Sequence, residues 1–444
     1  MGHLGHLKAE YRDLADRLED GLVGFPEPSD PAAWAGWKEI LEILWTPEEA
    51  AIAARMPFRP TSLRTLARRL GVAEAELGPK LDGMCDKGLV MDLVEPRSGR
   101  VSYFLSPPVV GFFEYSLMRA QDAPFGDGKR DAIPKKRMAE ALHAYTHGDP
   151  AFAREALGRD TVIGRALVHE PPLADDAPEV LDWERASAVV GDAKAWAVSL
   201  CYCRHKAEHV GEACGAPMEV CLSLGGGAEF VVRRGFGRPI ERAEALDVLA
   251  RSREGGLVQI ADNVKSRPTF VCNCCGCCCE QLRAVNDFGL RGVNGSGFLP
   301  RREGDACAGC SRCARACPVG AVAMVPERRT GQQKNGLAPR FDAERCIGCG
   351  VCATACHKGA LRMARGGEQR PVPQNQLEKV VRQALERNRL ADLLFDASAS
   401  FGARVLHGLV RGLGALPPAE RLLATEQVRS RFVKAALSKF REHG

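Results

Sequence analysis

Two stretches of this 444-residue chain share one cysteine rhythm: "CAGCSRCARACPVGAV" from Cys307 and "CIGCGVCATACHKGAL" from Cys346. Each reads C-x2-C-x2-C-x3-C. A cubane of four irons and four sulfides needs four thiolates around one compact body. A tight loop with a cysteine at every third residue aims three of them at one cluster. The fourth is expected to start a short helix and reach across to the partner cluster. That assigns Cys307, Cys310, Cys313 and Cys356 to one [4Fe-4S] cluster, and Cys346, Cys349, Cys352 and Cys317 to a second. Zinc fits less well, because its cysteines come in separated pairs or with histidine.

These residues resemble bacterial two-cluster [4Fe-4S] ferredoxins over about 60 residues, a span that agrees with the paired-motif rule. The resemblance implies two cubanes close together and one-electron transfer. Pro318 follows the last cysteine of the first copy, as in the family; the second copy has His357 there. His357 reads either as a hydrogen-bond donor near a cluster sulfur or as a tolerated turn residue. The segment between the copies is long and basic, and reads as an extended surface hairpin.

The chain has 19 cysteines, and most are clustered. The N-terminus "MGHLGHLKAEYRDLADRLED" lacks the apolar core of a signal peptide, and no run of about 18 apolar residues suggests a membrane span. A cytoplasmic location is the expectation, and thiols there stay reduced. Grouped cysteines then mean metal or redox chemistry rather than a disulfide framework.

Ten more thiols fall in one central region: Cys201, Cys203, Cys214 and Cys221, then Cys272, Cys274, Cys275, Cys277, Cys278 and Cys279 in "CNCCGCCC". Adjacent cysteines in extended chain point to opposite faces, so Cys274 and Cys275 are read as serving two different sites, or one site plus a spare thiol. Cys201 and Cys203 read as alternate positions at a strand end, with Cys214 and Cys221 in loops. One cubane uses four thiols and two use eight, so the ten are pooled candidates for one or two additional iron–sulfur clusters. Arg204, His205 and Lys206 stand beside them to offset thiolate charge. A soft-metal site for zinc or Cu(I), or a reactive dithiol, are the other readings of the run. The order C-x-C-R, "GLVQIADN", "CNCCGCCC" resembles an uncharacterised iron–sulfur protein family with a winged-helix-like head and a ferredoxin tail. That resemblance adds support for iron–sulfur electron transfer.

The expected fold class is multidomain α+β. Residues 1–35 read as a helix and Pro-rich linker, and 36–108 as a winged-helix-like N-terminal domain. Residues 109–180 form a helical connector without motifs, and 181–299 an α/β cysteine-rich central domain. Residues 300–366 form the ferredoxin-like two-cluster domain, and 367–444 a helical C-terminal tail. In the central domain "KAWAVSLCYC", "AEFVVRR", "GLVQIAD" and "TFVCNCC" are expected strands. The second helix of the head carries Glu74, Glu76, Asp82 and Asp86 against Lys80 and Lys87, which DNA phosphates would repel. Protein docking is therefore favoured over nucleic acid, and the net charge of +5 asks for no polyanion partner. Cys85, on the same helix, reads as a core residue. "FGARVLHGLVRGLGAL" (401–416) reads as a packed helix, with peripheral membrane contact as its alternative.

The function these features predict is single-electron transfer through two [4Fe-4S] clusters and at least one central cluster to a partner oxidoreductase, with no residue assigned as catalytic. A redox-sensing regulator is one alternative. The other is an iron–sulfur enzyme reacting at Cys272–Cys279. "GGG" at 225–227 and "GLG" at 412–414 are not expected in the strand–GxGxxG–helix setting of a dinucleotide site.

Overall fold

The computed structural model describes residues 7–126, 128–173, 180–327, 336–366 and 369–390. The segment 401–416 lies outside the described residues. The chain is a mixture of helices and sheets, as an α+β protein requires, and no described helix is long and apolar enough to cross a membrane.

The head begins with helix Pro31–Leu44, capped by the Asp30 carboxylate on the Ala32 and Ala33 amides. The apolar run that continues past Leu44 is split in two. Thr46 and Glu49 exchange side-chain and backbone hydrogen bonds in a capping box, which starts a new helix at Pro47–Ala53. Helices Leu63–Leu70 and Glu74–Asp86 follow, then strands Val90–Val94 and Val101–Leu105, which pair antiparallel and take in Thr61–Ser62 as a third strand. Cys85 is fully buried, and burial pushes its thiol well up.

A cluster of rings ties the head to the connector. Phe25 packs on Trp37, Phe112, Phe113 and Tyr145, with centroids 5.0 to 6.1 Å apart. Tyr145 belongs to the connector helix Lys135–Gly148. Its hydroxyl donates to the Pro26 carbonyl, so the apolar ring is buried without orphaning its polar end.

The centre of the molecule is a seven-stranded sheet. From edge to edge its strands are Val293–Asn294, Gly164–Ala166, Val258–Asp262, Phe270–Cys274, Glu219–Leu224, Trp196–Leu200 and Arg238–Ile240. All neighbours are antiparallel except the first pair. Strand Gly164–Ala166 comes from the segment read as a helical connector, so the sheet reaches back across the boundary expected at 181.

Two expected assignments change here. Residues 228–233 form part of helix Gly226–Arg233, not a strand, and Arg234 is its C-cap. Ala228, Phe230 and Val231 are its buried positions, and packing against the sheet overrides the β preference of the valine pair. Gly225 caps this helix and Gly226 and Gly227 open it, directly after a strand. Gly227 has a steric reason: a Cβ there would stand 2.8 Å from the Thr269 carbonyl oxygen. The second change concerns Glu219–Leu224, read as loop but found as a central strand.

Buried charge locks the head onto the sheet. Arg234 reaches Asp82 at 2.6 Å, Asp86 at 3.0 Å and Asp92 at 2.9 Å, and Arg233 adds a second contact to Asp92 at 3.0 Å. The acidic end of the helix read as repelling DNA thus pairs within the molecule, Asp86 partly buried and Asp82 still exposed. Burial alone would raise the Asp92 carboxyl, but the two guanidiniums hold it below its ordinary value. A depressed carboxylate contributes stability above the ordinary value of about 3.9 and loses it as pH falls through the folded value. Arg234→Met should lower stability by roughly 3 kcal/mol at neutral pH, because it leaves buried Asp92 with Arg233 alone and unpairs Asp86 from Arg234. It should also weaken the loss of stability below about pH 4. Thermal melts of both proteins from pH 3 to 8 check this; equal melts at pH 7 would show the network to be energetically idle.

Candidate functional site

The ten central thiols divide into two sets, and the strand geometry does the dividing. Cys272 and Cys274 are two residues apart on strand Phe270–Cys274 and share a face; the register Val271–Leu222 sets Cys272 beside Cys221 of the neighbouring strand. Cys201 stands at the N-terminus of helix Tyr202–His209, with Cys203 in its first turn rather than on a strand end. Cys279 stands at the N-terminus of helix Glu280–Phe288. These six sulfurs form an arc in the order Cys201, Cys203, Cys279, Cys274, Cys272, Cys221, each near enough to the next to shift its acidity.

Their acidities alternate along the arc. Cys201 is lowered by neighbouring Cys203, Cys272 by Cys221 and Cys274, and Cys279, to about 5, by Cys203 and Cys274. Cys203, Cys274 and Cys221 are pushed up by those same neighbours and by burial. Six neighbouring anions would repel, which drives the acidities of adjacent sulfurs apart. The two helix N-termini favour the thiolates at Cys201 and Cys279. Such an arc offers several soft, partly deprotonated donors to one metal centre.

The remaining four central thiols form a second group beside the arc, across Arg204. Cys214 comes from the loop after helix Tyr202–His209, and Cys275, Cys277 and Cys278 from the turn beyond the strand end. Their sulfurs all lie within 4.8 Å of one another.

Arg204 lies between the two sets. It is almost fully buried, its guanidinium donating to the Pro217 and Asn273 carbonyls. Burial alone would lower it, but the charges of Cys201 and Cys275 raise it. The other basic residues expected to face the thiolates do not. His205 bonds the Leu117 carbonyl at 2.7 Å, and Lys206 is paired with Glu280. One-residue steps along a helix send neighbouring side chains in different directions.

The arc forms part of the wall of a chamber of about 1230 Å³, otherwise lined largely by apolar groups such as Met91, Phe104, Phe152 and Phe270. Glu114 joins this wall, and burial raises its carboxyl to about 8. Its Oε2 accepts from the Gly111 amide at 2.8 Å. Nothing in the sequence reading singled it out; the available signal was one acidic residue inside the apolar run "VVGFFEYSLM".

In the third region, strand Phe298–Arg302 pairs with Leu361–Arg365, and Val322–Pro326 with Leu337–Phe341. The tip of the second hairpin lies outside the described residues. Cys307, Cys310, Cys313 and Cys356 line one small cavity of about 20 Å³. Cys317, Cys346 and Cys349 sit in a shared apolar core, and the nearby charges of Cys349, Cys346 and Cys317 act on Cys352. The last cysteine of each copy does not start a helix as expected. Cys317 caps the C-terminal end of Arg312–Ala316, and Cys356 lies just past Val351–Thr354. The third cysteines, Cys313 and Cys352, are the helical ones. Burial pushes Cys349 up to about 12 and raises Cys352 and Cys346. The Ala321 amide donates to Cys317 Sγ at 3.2 Å, the kind of bond that tunes a cluster's potential. His357 is exposed.

Residues 306–360 match the family model for a 4Fe-4S dicluster domain. No curated protein and no solved structure matches the chain. The matched family and the donor chemistry agree: this region is an iron–sulfur, ferredoxin-like domain that holds 4Fe-4S clusters.

One contact joins that domain to the central thiols. Asn286 Nδ2 donates to the Gly276 carbonyl at 3.1 Å and to the Pro318 carbonyl at 3.0 Å. A Cβ on Gly276 would meet the Pro318 oxygen at 2.3 Å, so only glycine lets the two backbones approach this closely. Gly276→Ala should therefore cost about 1–3 kcal/mol through overpacking. Amide hydrogen exchange should speed up at 275–280 and at 318–321 together. Faster exchange confined to 275–280 would show that the two segments do not depend on each other.

Proposed function

We propose that the chain is an iron–sulfur electron-transfer protein in which the dicluster domain feeds a further metal centre held by the six-thiol arc. One observation carries the reading. Cys317, Cys346 and Cys349 share an apolar core with Cys272, Cys274 and Cys279, with Val319, Ala321 and Ile347 packed among them. Close apolar packing shortens the gap an electron must cross and lowers the reorganisation that accompanies it.

[4Fe-4S] clusters held by Cys307, Cys310, Cys313, Cys356 and by Cys346, Cys349, Cys352, Cys317 would supply one-electron transfer. The first set includes exposed Cys310 and so offers access to a redox protein or oxidoreductase subunit. The second is more buried and stands next to the arc. A cytoplasmic setting suits this density of reduced thiols. A DNA-binding regulator is disfavoured, because Glu74 and Glu76 leave the exposed start of the head's second helix acidic.

A second reading is favoured by the chamber. An arc-bound centre on the wall of an apolar space could reduce a bound apolar molecule, with the Glu114 carboxyl near Cys272. Under that reading, an apolar ligand added to the reduced protein shifts the electron paramagnetic resonance signal that depends on Cys272.

Iron and acid-labile sulfide per chain test the main reading on protein purified without oxygen. About 12 irons with equal sulfide are expected, four per cubane. The double variant Cys272→Ser, Cys279→Ser should retain about eight, the content of two cubanes. A wild-type content of about eight would confine electron transfer to the dicluster domain.

A further inference from the structure

The four thiols outside the arc carry an inference that does not depend on the electron-transfer reading. Cys214 Sγ and Cys275 Sγ lie 3.6 Å apart, although 61 residues separate them in the chain. Cys277 Sγ and Cys278 Sγ lie 3.7 Å apart. All four sulfurs fit within 4.8 Å of one another. A single ion with four bonds of about 2.3 Å to sulfur, arranged tetrahedrally, sets its ligands about 3.8 Å apart. The quartet already has the size of one ion.

A cubane makes a different demand. Each of its thiolates sits on a different iron at a different corner, so the sulfurs are spread around the outside of a body of eight atoms. The dicluster domain provides the comparison within the same molecule. Among the described residues, Cys214, Cys275, Cys277 and Cys278 form the one group of ligand atoms gathered this tightly; neither the ferredoxin cysteines nor the arc meets that spacing.

We propose that Cys214, Cys275, Cys277 and Cys278 bind one zinc ion as a closed tetrathiolate site. Four sulfur donors in a tetrahedron select zinc or a single iron among the common ions, and a site without an open position is structural. Four thiolates on a divalent ion leave two negative charges, and the Arg204 guanidinium beside Cys275 offsets part of that charge. The four thiol protons leave to solvent on binding.

The site has a structural consequence. It closes the 214–275 segment at the point where the chain leaves strand Phe270–Cys274 and enters helix Glu280–Phe288. Cys274 and Cys279 of the arc stand on either side of that turn. Gly276, inside it, touches Pro318. The ion therefore fixes both the spacing of the arc and the seat of the dicluster domain. The run "CNCCGCCC" serves two centres, one on each side of the sheet edge.

The test is metal content by mass spectrometry on protein purified without oxygen from medium containing both iron and zinc. One zinc per chain is expected in addition to the iron. Cys277→Ser, at the exposed ligand, and Cys214→Ser, on the other segment, should each lose the zinc while the irons bound by the dicluster domain remain. Growth with cobalt in place of zinc should give wild-type protein with the intense visible bands and near-ultraviolet sulfur-to-cobalt charge transfer of a tetrathiolate, absent from both variants. Two results would overturn the proposal: wild-type protein without zinc, or zinc that survives both substitutions. Loss of about four irons with sulfide from the variants would instead make the quartet a cubane site. If a variant fails to fold, the cobalt spectrum of the wild-type protein decides. Because zinc and iron are counted separately, a missing arc cluster and a missing zinc are distinguishable.

Discussion

Arg204 is the residue on which the central region depends. A thiolate-rich site buried in protein is costly unless its negative charge is balanced, and a guanidinium with no exposure to water is costly unless it has anions and acceptors. Here each cost offsets the other. Arg204 bonds the carbonyls of Pro217 and Asn273, residues on the two segments that carry the thiols, and its charge lies near Cys201 and Cys275 at once. It thereby ties the 201–221 segment to the 272–279 run. Remove it, and two sets of sulfurs face each other across a dry gap with nothing positive between them. The partner that Lys206 takes is consistent with this division of labour. Paired with Glu280 beside His147, it anchors the first turn of the helix that follows Cys279 rather than the sulfurs.

The sequence was most legible where ligand spacing is local. C-x2-C-x2-C-x3-C confines three sulfurs to one loop, so the grouping of Cys307, Cys310 and Cys313 needs no knowledge of the rest of the fold. The central thiols were less legible because their grouping depends on which strands are neighbours. Cys221 meets Cys272 only because Glu219–Leu224 pairs with Phe270–Cys274, a contact between distant segments. Period-two alternation left open whether Cys274 and Cys275 serve two sites or one; in the fold Cys274 lies near Cys272 and Cys279, and Cys275 near Cys214, Cys277 and Cys278. The direction of each basic side chain was not readable, since Arg204, His205 and Lys206 diverge around a helix that had been read as a strand end. The reversed polarity of the last cysteines has a similar cause. A four- or five-residue helix has too few residues for its ends to be marked by periodicity.

The acids at the end of the head's second helix have a structural use inside the molecule. Arg233 and Arg234 sit at the end of a helix packed on the central sheet, and Asp82, Asp86 and Asp92 meet them there. Arg119 extends the network, donating to Asp131 and to the Arg234 carbonyl. Connector, head and sheet are therefore joined by one set of buried ion pairs. Such pairs fix geometry more than they add stability, because both partners gave up water to make them.

That rigidity bears on the chamber. Its wall draws on the head through Met91 and Phe104, on the connector through Glu114 and Phe152, and on the sheet through the arc cysteines. A space shared by three parts of a chain keeps its shape only if those parts hold fixed positions relative to one another. The Asp–Arg network provides that on one side, and the Asn286 bridge between Gly276 and Pro318 provides it on the other, where the dicluster domain seats. The arc lies between these two joints. It is in contact with the apolar core that contains Cys317, Cys346 and Cys349, and it also faces a space large enough for a sizeable apolar molecule. A simple electron carrier needs the first of these contacts. The second is what an electron carrier would not need, and it makes the arc the place to look for chemistry.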